Sequence, residues 1–164
     1  MKSLGLLCFF LILSMLLFFS QFAFSQTKIQ LYKSTGNPWY DLGFNQELQA
    51  LQVAMGLSPD LYIYNDSGAP NALATKQNLR GGNSQFGTVL FGRTLLQMET
   101  TQIQNPYGHN YSVPVLLAHE FAHIGQYQYS FDQQLPLKLL ELHADAIAGW
   151  YMMGRSWFAP ANGQ

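Results

Sequence analysis

Hydrophobic positions recur with a helical period in the first half of the chain. One set lies three or four positions apart: Phe44, Leu48, Leu51 and Met55. This spacing predicts a helix, and Gly56 is the kind of residue at which a helix commonly ends. Short apolar runs at 61–64 and 86–91 predict two strands, and the polar, glycine-containing residues 69–84 between them predict a loop. A short helix is expected to begin at the apolar residues Leu95, Leu96 and Met98.

Two stronger helical patterns follow in the last third of the chain. Ser112 is a favourable N-cap and Pro114 is tolerated in a first turn, so we expect a helix from there to about Tyr127. Pro136 can begin the second helix, and Gly154 is expected to end it. Its apolar stripe comprises Leu137, Leu140, Ala144, Ile147, Ala148 and Tyr151. Short strands and helices followed by two longer helices predict an α+β domain.

The first 25 residues differ from the rest. A positive start precedes an apolar run at 4–19, and the small-x-small sequence at 23–25 suits cleavage before Gln26. The alternative is an uncleaved anchor, because the run approaches the roughly 18 residues that can span a membrane. We expect a signal peptide at 1–25 and one domain at 26–164, secreted or periplasmic, and attached to a membrane only if the segment is retained.

Charge and cysteine content exclude several classes of function. The formal net charge is −1 and no basic patch stands out, which disfavours a nucleic-acid partner. The single cysteine, Cys8, lies in the leading segment. The domain after cleavage therefore has no thiol for a disulfide, a cysteine-based zinc site or a cysteine nucleophile.

The candidate chemistry lies on the helix predicted from Ser112. Residues 119–123 read His-Glu-Phe-Ala-His. Residues four apart on a helix are about 40° apart in azimuth, so His119 and His123 can bind one metal ion, and imidazole nitrogen suits zinc. Glu120 is rotated by about 100° from His119. It is expected to act as the general base that accepts a proton from the attacking water.

The next predicted helix offers a third ligand. Glu141 and Asp145 lie four apart and share one face. Glu141 can complete a set of three protein ligands, and Asp145 can accept the outer N–H of a ligand histidine. The rival ligand is His143, which points about 200° away from Glu141 around the helix, so the two residues cannot both face the metal unless the helix is broken.

Residues 119–123 and the Glu-x-x-x-Asp sequence at 141–145 together resemble the gluzincin clan of metallopeptidases. The form Glu-Leu-x-Ala-Asp is similar to that of HtpX-type membrane peptidases, CAAX prenyl proteases and soluble minigluzincins. Residues 70–74 resemble the Asn-Ala segment that these proteins carry before the active-site strand, and residues 87–91 resemble that upper-rim strand.

The resemblance implies a zincin-like fold, in which a small twisted sheet packs on the motif helix and a second helix carries a metal ligand. It implies a zinc-dependent (Zn²⁺) endopeptidase acting on a peptide or protein substrate. The strand at 86–91 would pair with an extended substrate by β-augmentation. Asn71, Val89 and Leu90 are then the expected substrate-binding residues.

Two questions stay open at this level. Peptide hydrolysis needs a donor for the oxyanion, and the candidates are Tyr127, Tyr129, His109, Tyr151 and Arg155. The same ligands would also suit a catalytically silent zinc- or peptide-binding module, or a metal site that only stabilises the fold. A silent binder would have no use for Glu120, and a purely structural site predicts a fourth ligand that the sequence does not offer at a suitable spacing.

Overall fold

The structure is a computed structural model that describes residues 29–81, 84–102 and 111–158. The predicted signal peptide at 1–25 and the oxyanion candidate His109 lie outside these residues. Within them the chain forms four strands and four α-helices, in agreement with the expected α+β class. In chain order they are β1 (Leu31–Tyr32), α1 (Pro38–Met55), β2 (Asp60–Tyr64), β3 (Ala72–Thr75), β4 (Thr88–Gly92), α2 (Arg93–Gln102), α3 (Ser112–Gln128) and α4 (Leu137–Phe158).

The four strands form one mixed sheet in the order β1-β2-β4-β3. β2 and β4 are parallel, whereas β1 and β3 pair antiparallel with their neighbours. β4 therefore lies inside the sheet and β3 lies at its edge. The prediction of a loop throughout 69–84 is wrong where β3 occurs, because four residues of mostly small side chains, Ala-Leu-Ala-Thr, show no strand pattern.

Local residues cap both ends of helix α1. The Asn37 side chain accepts a hydrogen bond from the backbone N–H of Trp39 at 2.9 Å, and Pro38 occupies the first helical position. At the other end Gly56 adopts φ 66° and donates its N–H to the carbonyl of Gln52 at 2.9 Å. The predicted stop at Gly56 is confirmed.

Two other helix ends differ from the sequence predictions. Tyr111 rather than Ser112 occupies the N-cap position of α3, so Ser112 is already helical. The predicted end of α4 at Gly154 is wrong, because the helix continues to Phe158. Gly154 is buried, and the next residue, Arg155, is bound to the carboxylate of Glu47 on α1. Tertiary contacts thus outweigh the poor helix propensity of glycine, which costs about 1 kcal/mol.

The core lies where α3 meets the sheet, α1 and α4. Its fully buried side chains include Leu51, Val89, Phe91, Leu117, Phe121, Ile124 and Tyr151. The motif helix α3 contacts β3 and β4 on one side and α4 on another. This packing gives the histidines of α3 a fixed position relative to both the edge strand and the last helix. In the described part of the chain, no helix combines the length and the apolar character needed to cross a membrane.

Candidate metal centre

Three donor atoms from two helices meet at one point. The Nε2 atoms of His119 and His123 on α3 are 3.0 Å apart, and the Oε2 atom of Glu141 on α4 lies 3.3 Å and 3.6 Å from them. Four ligands at about 2.0–2.1 Å from a zinc ion in tetrahedral arrangement lie roughly 3.3–3.4 Å from one another. The three observed separations scatter around this edge length, so the group could hold a metal ion.

Asp145 orients the first histidine. Its Oδ1 atom lies 2.9 Å from Nδ1 of His119. A carboxylate only accepts hydrogen bonds, so the Nδ1 atom carries the proton and Nε2 keeps its lone pair for a cation. The helical spacing of Glu141 and Asp145 thus places both carboxylates on one face of α4, one beside the two Nε2 atoms and the other at Nδ1 of His119.

The second histidine has a partner that sequence reasoning missed. Nδ1 of His123 lies 2.8 Å from Oε1 of Gln126, whose side chain is fully buried between α3 and α4. Gln126 lies three residues after His123 and so shares its helix face. That spacing indicates a possible hydrogen-bond acceptor for His123, but a neutral amide is a less obvious acceptor than a carboxylate.

His143, the rival ligand, does not join the group. Its Nδ1 atom lies 3.1 Å from Nε2 of Gln126, and its ring meets the ring of Phe131 edge-on, with centroids 6.0 Å apart. The group within the described residues that could hold a metal ion consists of His119, His123 and Glu141. Helical geometry on α4 therefore separates Glu141 from His143, as expected.

Glu120 is buried and lines a cleft beside this group. Burial raises the pKa of Glu120 to about 7, His119 acts to lower it, and the carboxylate of Glu141 raises it further. A backbone hydrogen bond from Ala74 on β3 also acts to lower this pKa. A carboxyl group whose pKa lies near 7 can both accept and return a proton at neutral pH.

The cleft runs between the edge strand β3 and the helices α3 and α4. Its volume is about 350 Å³. Its lining includes Asn71, Leu73, His119, Glu120, Tyr127 and Glu141. A larger cavity of about 620 Å³ lies between α1 and β2, and none of the predicted site residues lines it. The candidate chemistry is therefore confined to the cleft under β3.

Comparisons with protein-family models, with curated proteins and with solved structures found no match. Any functional assignment therefore depends on the chemistry of this cleft and on the resemblance of its motifs.

The expectation that the strand at 86–91 pairs with substrate is wrong. β4 lies between β2 and β3, so its backbone groups are taken up on both sides. Val89 and Leu90, two predicted substrate-binding residues, are 0% and 2% exposed. Asn71, the third, does line the cleft, immediately before β3. The strand that faces the cleft is β3.

The candidate oxyanion donors within the described residues lie in different parts of the fold. Tyr127 lines the cleft and donates its hydroxyl to the carbonyl of Ala74 at 3.3 Å. Tyr151 and Arg155 are bound to Glu47 and do not line the cleft. Tyr129 is 68% exposed and lies at a groove on the other side of α3. Of the candidates within the described residues, Tyr127 alone is in the cleft.

Proposed function

We propose that the chain is a zinc-dependent endopeptidase with a zincin-like fold, similar to gluzincins, that hydrolyses peptide bonds with an activated water. The observation that carries this proposal is the meeting of three donor atoms within 3.6 Å of one another beside a buried carboxyl group. Two imidazoles and one carboxylate leave a fourth tetrahedral position open, as in catalytic zinc sites. Glu120 is not among the three ligands, yet it lines the same cleft.

His119, His123 and Glu141 would hold the zinc ion, which when bound would polarise the substrate carbonyl and acidify a water. Glu120 accepts the proton of the attacking water and delivers it to the leaving amine, so its carboxyl group ends the reaction in its starting state. The hydrogen bond from Ala74 holds the Glu120 side chain towards β3, where the substrate enters.

An extended peptide would lie along the outer edge of β3. Gly92 on β4 donates its N–H to the carbonyl of Asn71. Because backbone groups alternate in direction along an antiparallel pair, those of Ala72 and Ala74 point away from β4 towards the cleft. The groups of Ala74 already contact Glu120 and Tyr127. The substrate backbone would therefore pair with Ala72, next to Asn71, by β-augmentation.

The same proposal places the domain outside the cytoplasm. Its support is the leading segment, in which an apolar run at 4–19 precedes the cleavage-like residues 23–25. N-terminal sequencing of exported protein should begin at Gln26. A retained N-terminus in a membrane fraction would instead show that the segment is an anchor.

The test of the catalytic proposal compares Glu120→Gln with the parent protein. The variant should fold and bind zinc as the parent does, but lose at least about 100-fold in its rate of peptide cleavage, because the general base is removed. The substrates are casein and internally quenched peptides blocked at both ends, which report endopeptidase activity. Cleavage by the parent should be abolished by a chelator and restored by zinc.

Two further variants define the controls. Glu99→Gln on α2, outside the cleft lining, should cleave as the parent does. His119→Ala should lose both zinc and activity. A parent that binds zinc but cleaves no peptide in a diverse library would point to a silent zinc- or peptide-binding module, and a parent that binds no zinc would overturn the proposal entirely.

A further inference from the structure

We propose that Gln126 is a positioning residue that sets the tautomer of His123 and links this ligand to the helix that carries Glu141. The inference rests on the proposed metal site, but it does not depend on peptide hydrolysis. Neither the motif 119–123 nor the pair Glu141 and Asp145 assigns a role to this side chain.

The amide of Gln126 uses its hydrogen-bonding groups entirely within the protein. The residue is 1% exposed. Oε1 lies 2.8 Å from Nδ1 of His123, and Nε2 donates to the carbonyl of Leu140 at 2.7 Å and lies 3.1 Å from Nδ1 of His143. An amide in such a position is costly to bury unless every group is paired, and here its oxygen and both N–H bonds have partners.

The contact with Leu140 decides the orientation of the amide. A backbone carbonyl only accepts hydrogen bonds, so the NH₂ group of Gln126 must face α4. Its oxygen then faces His123, and because that oxygen also only accepts, Nδ1 of His123 must carry the proton. The lone pair of the ring is thereby left on Nε2, the atom that lies 3.0 Å from Nε2 of His119.

The two histidines thus reach the same tautomer through different acceptors. His119 uses Asp145, whose side chain is 69% exposed, whereas His123 uses a buried neutral amide. A carboxylate at the position of Gln126 would carry an uncompensated charge in the interior. Glutamine supplies the acceptor without that charge, and its NH₂ group finds acceptors on α4.

The same amide connects both halves of the metal centre. Leu140, whose carbonyl it binds, directly precedes the ligand Glu141. The bond therefore spans α3 and α4 at the level of the site. Loss of the amide should free the ring of His123 to rotate and should also loosen the approach of Glu141.

The experiment measures two quantities that do not require activity. The first is the zinc dissociation constant, from competition with a chelating dye. The second is the tautomer of His123 in metal-free protein, from the ¹⁵N shifts of its ring nitrogens. Gln126→Leu should weaken zinc binding about 10–100-fold, the range found when outer partners of metal ligands are removed, and should convert His123 to a mixture of tautomers.

Gln126→Glu separates positioning from packing. It keeps an acceptor for His123 but places a carboxylate against the carbonyl of Leu140. We expect a lowered melting temperature, an Nδ1–H tautomer as in the parent, and zinc affinity within about tenfold of the parent. His143→Ala removes a partner of Gln126 without touching His123, so it should leave both the tautomer and the zinc affinity close to the parent values.

Unchanged zinc affinity and an unchanged His123 tautomer in Gln126→Leu would overturn the proposal and leave Gln126 as a packing residue. If that variant does not fold, Gln126→Met is measured in the same way. Should the parent bind no zinc, the proposed metal site fails, and the tautomer in metal-free protein still decides the role of Gln126. Absence of peptide cleavage affects neither measurement.

Discussion

At the residue scale, the candidate metal centre contains two imidazoles whose outer nitrogens are each held by a different side chain. Asp145, the partner of His119, is largely exposed, so water screens its charge and its electrostatic contribution is small. Its effect on a metal site is then mainly geometric, because it holds the ring with Nε2 towards Glu141. The observed 3.3 Å between Nε2 of His119 and Oε2 of Glu141 depends on that orientation.

A geometric role for Asp145 makes a specific prediction. Asp145→Ala should weaken zinc binding about tenfold, the lower end of the effect of removing an outer partner, because the site is exposed. Asp145→Asn should retain most of the affinity, since an amide oxygen can still accept from Nδ1. Chelator competition measures both, and Asp60→Asn, a change at β2, is the control. Equal losses in the two Asp145 variants would instead assign the effect to charge.

At the scale of elements, one carboxylate organises the start of α2 and the start of β3. Asp66 is buried and accepts hydrogen bonds from the backbone N–H groups of Thr94, Leu95 and Asn71, at 2.6, 3.0 and 3.1 Å. It thus satisfies the first turn of α2 in place of a local N-cap. Gly92 lies so close to the Asp66 carboxylate that any side chain there would collide with it. The edge strand of the cleft begins at this junction.

This junction predicts a pH dependence of stability. Burial acts to raise the pKa of Asp66, but the hydrogen bonds from Thr94, Leu95 and Asn71 outweigh it and hold the pKa below the ordinary value of 3.8. A carboxyl group whose pKa is lowered by folding stabilises the protein above its unfolded pKa, and that contribution disappears as the pH falls through the folded pKa.

Asp66→Asn should therefore destabilise the protein at neutral pH and much less in acid. We expect a loss of about 1.5–3 kcal/mol at about pH 6, the range for hydrogen bonds to a charged group, and this loss should shrink below about pH 3.8. Urea unfolding of parent and variant across this range measures the difference. A difference that stays constant with pH would show that the carboxylate charge does not contribute.

At the scale of the whole molecule, a partly buried ion pair joins the first helix to the last. Glu47 on α1 accepts from the hydroxyl of Tyr151 at 2.5 Å and from the guanidinium of Arg155 through both of its carboxylate oxygens. The Glu47 side chain is 6% exposed, whereas that of Arg155 is 38% exposed. Burial, and then the hydrogen bond to Glu47, raise the pKa of the Tyr151 hydroxyl. These contacts hold α4 against α1 at the end opposite to Glu141.

Glu47→Ala should lower the free energy of unfolding by roughly 2–4 kcal/mol. This lies towards the low side of the loss for a fully buried pair, because Arg155 keeps contact with water. Zinc affinity of the folded variant should change by less than about twofold, since Glu141 lies about 21 Å from Arg155 along the helix axis. Lys33→Ala, which removes an exposed pair with Asp60, is the control and should cost no more than about 1 kcal/mol. A large loss of zinc affinity in Glu47→Ala would contradict this separation of stability from the site.

The local sequence pattern was sufficient to predict several elements of the fold. The stripe that begins at Phe44 predicts α1, and the run at 61–64 predicts β2, because periodicity and capping act within one or two turns of chain. It was insufficient for β3, whose residues have little strand character and are ordered by pairing with β4. The predicted end of α4 at Gly154 was also wrong, because Arg155, the next residue, binds the carboxylate of Glu47 on a distant helix.

The amino-acid sequence by itself determined which donors share a helix face: His119 with His123, and Glu141 with Asp145. The physical reason is that the period of an α-helix is a property of the local backbone. Only the tertiary structure decided that Glu141 meets the two imidazoles, that Gln126 faces His123, and that β3 rather than β4 borders the cleft. Those relations depend on how helices and strands from distant parts of the chain pack together, and the local periodicity of the sequence does not determine that packing.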